Sequence, residues 1–414
     1  MKNSSFKSIR TIFAFSLPLL YFACAPRVTE TVRGPGPQIR ILLGNIDSRD
    51  TLEFKGTYVL QSEEAQYELG QKNSTLYIQP LSDGLQLFNQ NRNLLYRNAF
   101  PVVLVPGDAD SRFRYQGREH GGAIYFQQAP PGGIYLINKI LLEEYLKGVV
   151  PSEIPANQSQ DFEAVKAQAI CARTYALKRI EENSGRPYDI QATIADQVYS
   201  GYERRASLAD QAVDESAGVI LTYQGRTAIV YYHSTCGGEL EAARNIFPGV
   251  NPPYLQGGTD AVGSSFSCSI SPYFRWEQKR SFEELDQAFF RYFKRSMLSQ
   301  PVADTLQLTY GLQISGRDSS GRVTQLRISY ADTTAELNGY QIRRFLAPAG
   351  STYLPSTLFY FSQSGDSTLV IHGAGNGHGV GMCQFGALFM ARRGFQHYHI
   401  LSKYFPGTKL LRKY

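Results

Sequence analysis

An α+β fold, a β-rich N-terminal portion followed by a helix-centred portion, is predicted from three observations. Residues 38–135 read as short alternating segments broken by Gly, Asn, Asp and Pro, the pattern of half-buried strands. A single stretch near 160–182 carries apolar residues at spacings of three and four, the pattern of a long helix. No fixed-period repeat is present, which excludes a solenoid or propeller. With 43% hydrophobic and 19% charged residues in 414, the composition is globular, and the length suggests two or three structural units. The net charge of +6 is spread without a Lys/Arg run, which argues against nucleic acid as a partner.

The elements follow in chain order. Lys2, Lys7 and Arg10 precede an apolar run from Thr11 to Ala23 that ends at Cys24. A basic stretch, a short apolar core and a small residue before the cut describe a secretory signal over 1–24; a spanning helix needs about 20 apolar residues. Ala23-Cys24 resembles the end of a bacterial lipoprotein signal, so Cys24 is the expected lipidation site. The chain is expected to be exported to the periplasm or cell envelope and held at the membrane by that lipid. Residues 25–37 then form a tether, and 38–135 the β-rich domain.

The helix-centred domain, with inserted β segments, is placed at 136–407. A short helical segment at 141–150 closes at Pro151, and the long helix over about 160–182 stops at Gly185 and Pro187. A helix over 208–216 precedes a hairpin over 218–233 turning at Gln224-Gly225. An amphipathic helix over 281–298, a strand over 367–371, a Gly-rich loop and a helix over 382–393 complete it. Residues 408–414 are left as a tail.

Glu153 lies between Pro151 and Pro155 after an apolar stretch. A carboxyl in apolar surroundings holds its proton more tightly, as a general acid requires; a solvated turn glutamate is the plainer reading. The loop 372–386 carries five glycines between 373 and 381 and places His378 before a helix, either as a donor to a ligand or as a structural histidine. The loop lacks the Lys-Ser/Thr of a phosphate cradle. On the long helix Lys166 and Arg173 are seven residues apart on similar faces, suited to an anion or to plain salt bridging. Tyr202, in Gln197-Val-Tyr-Ser-Gly-Tyr202, suits sugar stacking or a packed loop.

If Cys24 carries lipid, Cys171, Cys236, Cys268 and Cys383 remain, and four cysteines allow three pairings. Zinc at His233, Cys236 and Cys268 has only three ligands and is the less favoured reading, so no metal and no cofactor are expected.

Five segments, in order, resemble the SpoIID/LytB family of sporulation and cell-wall proteins: 142–155 (LEEYLKGVVPSEIP), 163–176 (EAVKAQAICARTYA), 197–201 (QVYSG), 233–238 (HSTCGG) and 376–387 (NGHGVGMCQFGA). The resemblance spans about 38–407. It implies a lytic transglycosylase acting on glycan strands stripped of stem peptides, with Glu153 as the catalytic glutamate and the segment 377–381 as part of the cleft. His378, Arg173, Tyr202, Gln384 and Lys166 are the candidates for binding and positioning the glycan.

Cys171 and Cys383 replace the Ala and Ser expected from the family. The implied bridges are Cys236–Cys268 and Cys171–Cys383. The competing readings are a non-catalytic wall-binding protein that activates an N-acetylmuramoyl-L-alanine amidase, a hydrolase using Ser152 or Cys383 with His378, and a water-using muramidase with Asp196 or Glu203 as second carboxylate.

Overall fold

The computed structural model describes residues 35–61, 66–69, 74–130, 132–156, 158–293, 311–330, 333–348, 350–364 and 368–414. The expected signal segment, Cys24 and most of the tether lie outside the described residues. The predicted class holds: the chain is α+β, with the strands concentrated first and the long helices after them.

The β-rich part is two packed sheets. One has seven strands in the order 190–191, 38–46, 134–141, 123–128, 102–106, 58–61, 66–69; the other has six, in the order 118–120, 112–115, 50–55, 74–80, 84–88, 94–99. Alternation makes the sandwich: Leu52, Phe54, Leu76, Ile78, Ile124 and Phe126 all point into one core and leave their neighbours outside. The strand Ile134–Leu141 belongs to this sheet and runs without a break into α1 (Leu142–Glu153). The first sheet is therefore a shared wall. Ile39 and Ile41 belong to a second core, with the helices.

That second core is centred on α2 (Phe162–Glu182), whose Ala164, Ala167, Ala169, Ala172 and Ala176 are all fully buried. Such small side chains let α1, α3 (Ser207–Glu215) and the helix Gln384–Ala391 approach closely. The hairpin turns where the sequence predicts, with Gln224 and Gly225 both at positive φ. The strand Lys409–Arg412, expected to lie in a tail, instead pairs with Val219–Thr222, and the Tyr414 hydroxyl donates to Glu143 at 2.6 Å. A third core joins the helix Phe282–Phe293 to the strands 312–317, 323–330, 359–364 and 368–373.

One local expectation is revised. The helix does not close before Pro151; it continues through that residue to Glu153. Proline in the final turn gives up one bond to a carbonyl four residues back, and the helix tolerates that loss at its end. Pro155 is what ends it, because the residue before a proline is driven to extended backbone, and Ile154 sits at φ −115, ψ 124.

Candidate active site

Glu153 is the last residue of α1, at the end of the helix where the backbone carbonyls point outward. That end disfavours negative charge, and so does the apolar wall of Val149, Val150 and Ile154 around it. Burial is the main cause that lifts the Glu153 carboxyl to about 7, opposed by hydrogen bonds from the Val198 N–H and the Gln384 side chain. The Val198 N–H donates to Oε1 at 3.0 Å. At neutral pH this group is therefore split between acid and carboxylate, the condition for giving and taking a proton in one cycle.

The segment that supplies Val198 is held from three sides. The Tyr145 hydroxyl donates to Gln197 Oε1 at 3.1 Å, and Gln197 Nε2 donates to the Tyr232 hydroxyl at 2.8 Å and the Ala172 carbonyl at 3.3 Å. Ser152 and Ser200 hydroxyls share a 2.8 Å hydrogen bond, and the Ser200 N–H reaches the Gly148 carbonyl. Two glycines permit the approach. A Cβ on Gly148 would meet the Gly201 carbonyl at 2.7 Å, and Gly201 itself has φ +58 with the Glu119 carbonyl 2.1 Å from where its Cβ would stand.

Gln384 opens the helix Gln384–Ala391 and is buried. Its amide also donates to Gln168 Oε1 at 3.4 Å, and Gln168 Nε2 is a buried donor with no partner among the described residues. Gln168, Gln197, Tyr145 and Tyr232 thus frame Glu153. None of the four is a site residue in the sequence reading, although Tyr145, Gln168 and Gln197 stand inside segments it singles out.

The remaining candidates are placed differently. Arg173 is corrected from a glycan contact to a buried structural cation: Nε and Nη2 donate to the two Glu143 carboxylate oxygens, each at 2.7 Å, and Nη1 and Nη2 donate to the Val219 and Val213 carbonyls. It is 0% exposed, so no substrate reaches it. Lys166 pairs with Glu215 of α3 at 3.0 Å, the salt-bridge reading of that residue.

Tyr202 is half-buried between two guanidiniums, 4.4 Å from Arg112 and 4.1 Å from Arg205, and its N–H donates to the Glu119 carbonyl; it braces the two portions of the chain instead of presenting a free face. His378 accepts from the Val380 N–H at Nδ1 (3.0 Å) and donates to the Tyr232 carbonyl. With both ring nitrogens used and burial pushing it down to about 4, it is a neutral pin between the Gly-rich loop and residues 231–233.

The cysteines also differ from expectation. Cys171 faces Met382, with Sγ–Sδ 4.0 Å, and Cys383 faces the other way toward Cys236 and Cys268, so the Cys171–Cys383 bridge is not formed. Successive residues of a strand point to opposite faces, and Met382–Cys383 is such a strand. No disulfide joins the four cysteines among the described residues, and the Cys236 and Cys268 Sγ atoms are 3.3 Å apart. His233 is no ligand to them; its Nδ1 lies 3.1 Å from the Val380 carbonyl.

The rival chemistries lose their parts. Asp196 is held by the Tyr175 hydroxyl at 2.7 Å, the Gln191 N–H at 2.9 Å and Arg179 at 3.2 Å. Glu203 is exposed, and neither acid is among the groups that act on Glu153. Cys383 is buried and Ser152 is tied to Ser200, so neither faces His378 as a nucleophile would. A broad groove lined by Phe266, Trp276, Tyr360 and His372 does not include Glu153.

Comparison with known proteins agrees with this arrangement. Residues 131–223, which hold α1, α2 and the Gln197–Gly201 loop, match the model of the SpoIID family, stage II sporulation protein, and residues 261–381 match a domain of unknown function, DUF8618. The chain is 30% identical over 376 residues to a protein of undescribed role from Brachyspira hyodysenteriae, covering 90% of this chain and 92% of that one. It is 30% identical over 294 residues to the amidase enhancer of Bacillus subtilis, covering 64% of this chain and 40% of that protein. Stage II sporulation protein D of Bacillus subtilis is 29% identical over 291 residues, covering 66% of this chain and 75% of the relative. On the near-complete alignment with the first of these and the family match over the helices that hold Glu153, the chain belongs to the SpoIID family.

Proposed function

We propose that this protein is a peptidoglycan lytic transglycosylase that cleaves the MurNAc–GlcNAc bond of peptide-stripped glycan strands, with Glu153 as its only acid–base residue. Membership in the SpoIID family ties the chain to cell-wall work. The observation that carries the finer reading is the Glu153 carboxyl: burial lifts it to about 7, and among the described residues no second carboxylate acts on it. Hydrolytic glycosidases use two carboxyls, one of which activates water or attacks the sugar. A lytic transglycosylase needs one.

The protonated Glu153 gives its proton to the glycosidic oxygen as the bond from C1 to that oxygen breaks. The resulting carboxylate takes the proton of the C6 hydroxyl of the same muramic acid, whose oxygen closes on C1. The product is a 1,6-anhydro end, the acid is regenerated, and no water is consumed. The Val198 N–H and Gln384 amide steady the carboxylate half of the cycle. Proton transfer of this kind contributes on the order of 10²–10⁴-fold; orientation of the strand must supply the rest. A lipid anchor at Cys24 would keep the enzyme on the membrane, facing the wall from the periplasm.

The test is product mass from peptide-stripped glycan strands with the wild type and Glu153→Gln. Anhydro-ended fragments, one water lighter than reducing-end fragments, are expected from the wild type alone. Reducing ends would mean hydrolysis and sink the reading. A second reading rests on the 30% identity to an amidase enhancer: the chain binds wall glycan and activates an amidase without cleaving. It is favoured if neither protein cuts the strands while Glu153→Gln still stimulates an amidase.

A further inference from the structure

Four groups that the proposed reaction does not use converge at one buried point. Cys236, Cys268, Cys383 and Asp260 each offer one ligand atom, and these atoms all lie within 4.8 Å of one another. Each of the four residues is 0% exposed. They come from three parts of the chain: Cys236 follows the strand Tyr232–His233, Asp260 and Cys268 flank the hairpin 261–266, and Cys383 precedes the helix Gln384–Ala391.

A disulfide between Cys236 and Cys268 explains only half of this cluster. It would leave a third thiol and a fully buried carboxylate together, and a buried charge is costly unless compensated. Asp260 accepts from the Tyr404 hydroxyl at 2.8 Å and the Cys268 N–H at 3.1 Å, with Lys403 at 4.0 Å. Those contacts orient the carboxylate without neutralising it at contact distance.

The sulfurs carry donors of the kind that support metal-bound thiolates: the Cys236 N–H reaches Cys383 Sγ at 3.4 Å, and the Gly238 N–H reaches Cys236 Sγ at 3.4 Å. Arg322, 1% exposed, donates to the Cys236 carbonyl at 2.8 Å and brings a second cation beside the cluster, with Glu241 as its opposing acid. A tetrahedral zinc with bonds of about 2.0–2.3 Å needs ligand atoms roughly 3.5–3.8 Å apart. The 3.3 Å between Cys236 and Cys268 and the 4.8 Å ceiling of the set bracket that spacing.

We propose that Cys236, Asp260, Cys268 and Cys383 form a zinc site. Three thiol protons leave as three sulfur–zinc bonds and one carboxylate–zinc bond form. Four protein ligands close the tetrahedron, so the ion is structural and has no open position for water. Its effect on the reaction is indirect. Cys383 directly precedes Gln384, so the ion anchors the residue whose amide meets Glu153. That last link rests on the transglycosylase reading; the site itself does not.

The experiment is metal analysis of the full-length protein purified without chelator, with alkylation mapping of its cysteines. One zinc per chain is expected, with Cys236, Cys268 and Cys383 reduced. Cobalt in its place should show thiolate-to-metal charge transfer. Cys383→Ser and Asp260→Asn should each weaken zinc binding at least about tenfold, while Cys171→Ser keeps it. If Cys383→Ser does not fold, mercurial titration of the wild type answers instead, with zinc released to a chromogenic chelator in proportion to the thiols modified. A zinc-free protein with Cys236 and Cys268 recovered as a linked peptide overturns the site. So does a zinc-free protein with all thiols reduced, or zinc that survives both ligand substitutions. None of these readings involves glycan, so the site can fail while the transglycosylase stands, and the reverse.

Discussion

At the scale of single residues, the proposed reaction rests on one carboxyl held near neutrality. Burial raises the folded-state value of Glu153 to about 7, above the usual carboxylate range. The folded chain therefore binds more protons than the unfolded chain between about pH 4.5 and 7, and Glu153 lowers stability progressively as pH rises through that window. Glu153→Gln, which keeps an acceptor for the Val198 N–H, should raise stability by on the order of 1–3 kcal/mol at pH 8 and by little at pH 4. Thermal melts of both proteins across that range check this. In activity, kcat/KM should fall as pH rises above about 7, since the acid form must act first. Gln384→Ala removes a donor that favours the carboxylate, so that limb should move to higher pH while the rate drops on the order of tenfold. A rate loss with an unmoved limb would mean Gln384 touches the sugar and not Glu153.

At the scale of elements, α1 and the Gln197–Gly201 loop are joined by close backbone contact, and the contact depends on glycine. Gly201→Ala places a Cβ 2.1 Å from the Glu119 carbonyl at φ +58, a conformation and a clash that alanine cannot accept without movement. A loss of more than about 2 kcal/mol by denaturant titration is expected, with the Val198 donor displaced from Glu153. Arg173 is the opposite case, an element weld. Arg173→Ala strands the Glu143 carboxylate, which is held below the usual range by that guanidinium, and should cost about 3–5 kcal/mol. Where the variant is still folded, KM for glycan strands should not change; a large rise in KM would restore Arg173 as a glycan contact.

At the scale of the molecule, residues 409–414 close onto the beginning of α1. The strand Lys409–Arg412 pairs with Val219–Thr222, and the Tyr414 hydroxyl meets the Glu143 that Arg173 holds. Ending the chain at Thr408 should lower the melting temperature by about 2–4 °C, on the order of 2–3 kcal/mol of lost strand pairing and buried hydrogen bonding. An unchanged melt would mean that this strand adds nothing to the helical core.

The α+β class, the β-rich N-terminal portion, α2, the hairpin turn and the Glu153 segment were readable from the sequence because their causes are local. Alternation, three-and-four spacing, a Gln-Gly pair and two prolines act over a few residues. Arg173 and His378 read as ligand-binding groups in the sequence because their partners, Glu143 and the Tyr232 carbonyl, come from other elements. Tyr202 reads as a sugar-stacking face for the same reason, with Arg112 arriving from the first domain. Asp260 stands in no motif, and only packing puts it beside three cysteines. The sequence by itself determined which segments form the helix-centred portion and that Glu153 stands among apolar neighbours at the end of its first helix. Tertiary structure alone decided which polar groups remain free to act, because a hydrogen bond or ion pair across the fold uses up a side chain that looks available along the chain.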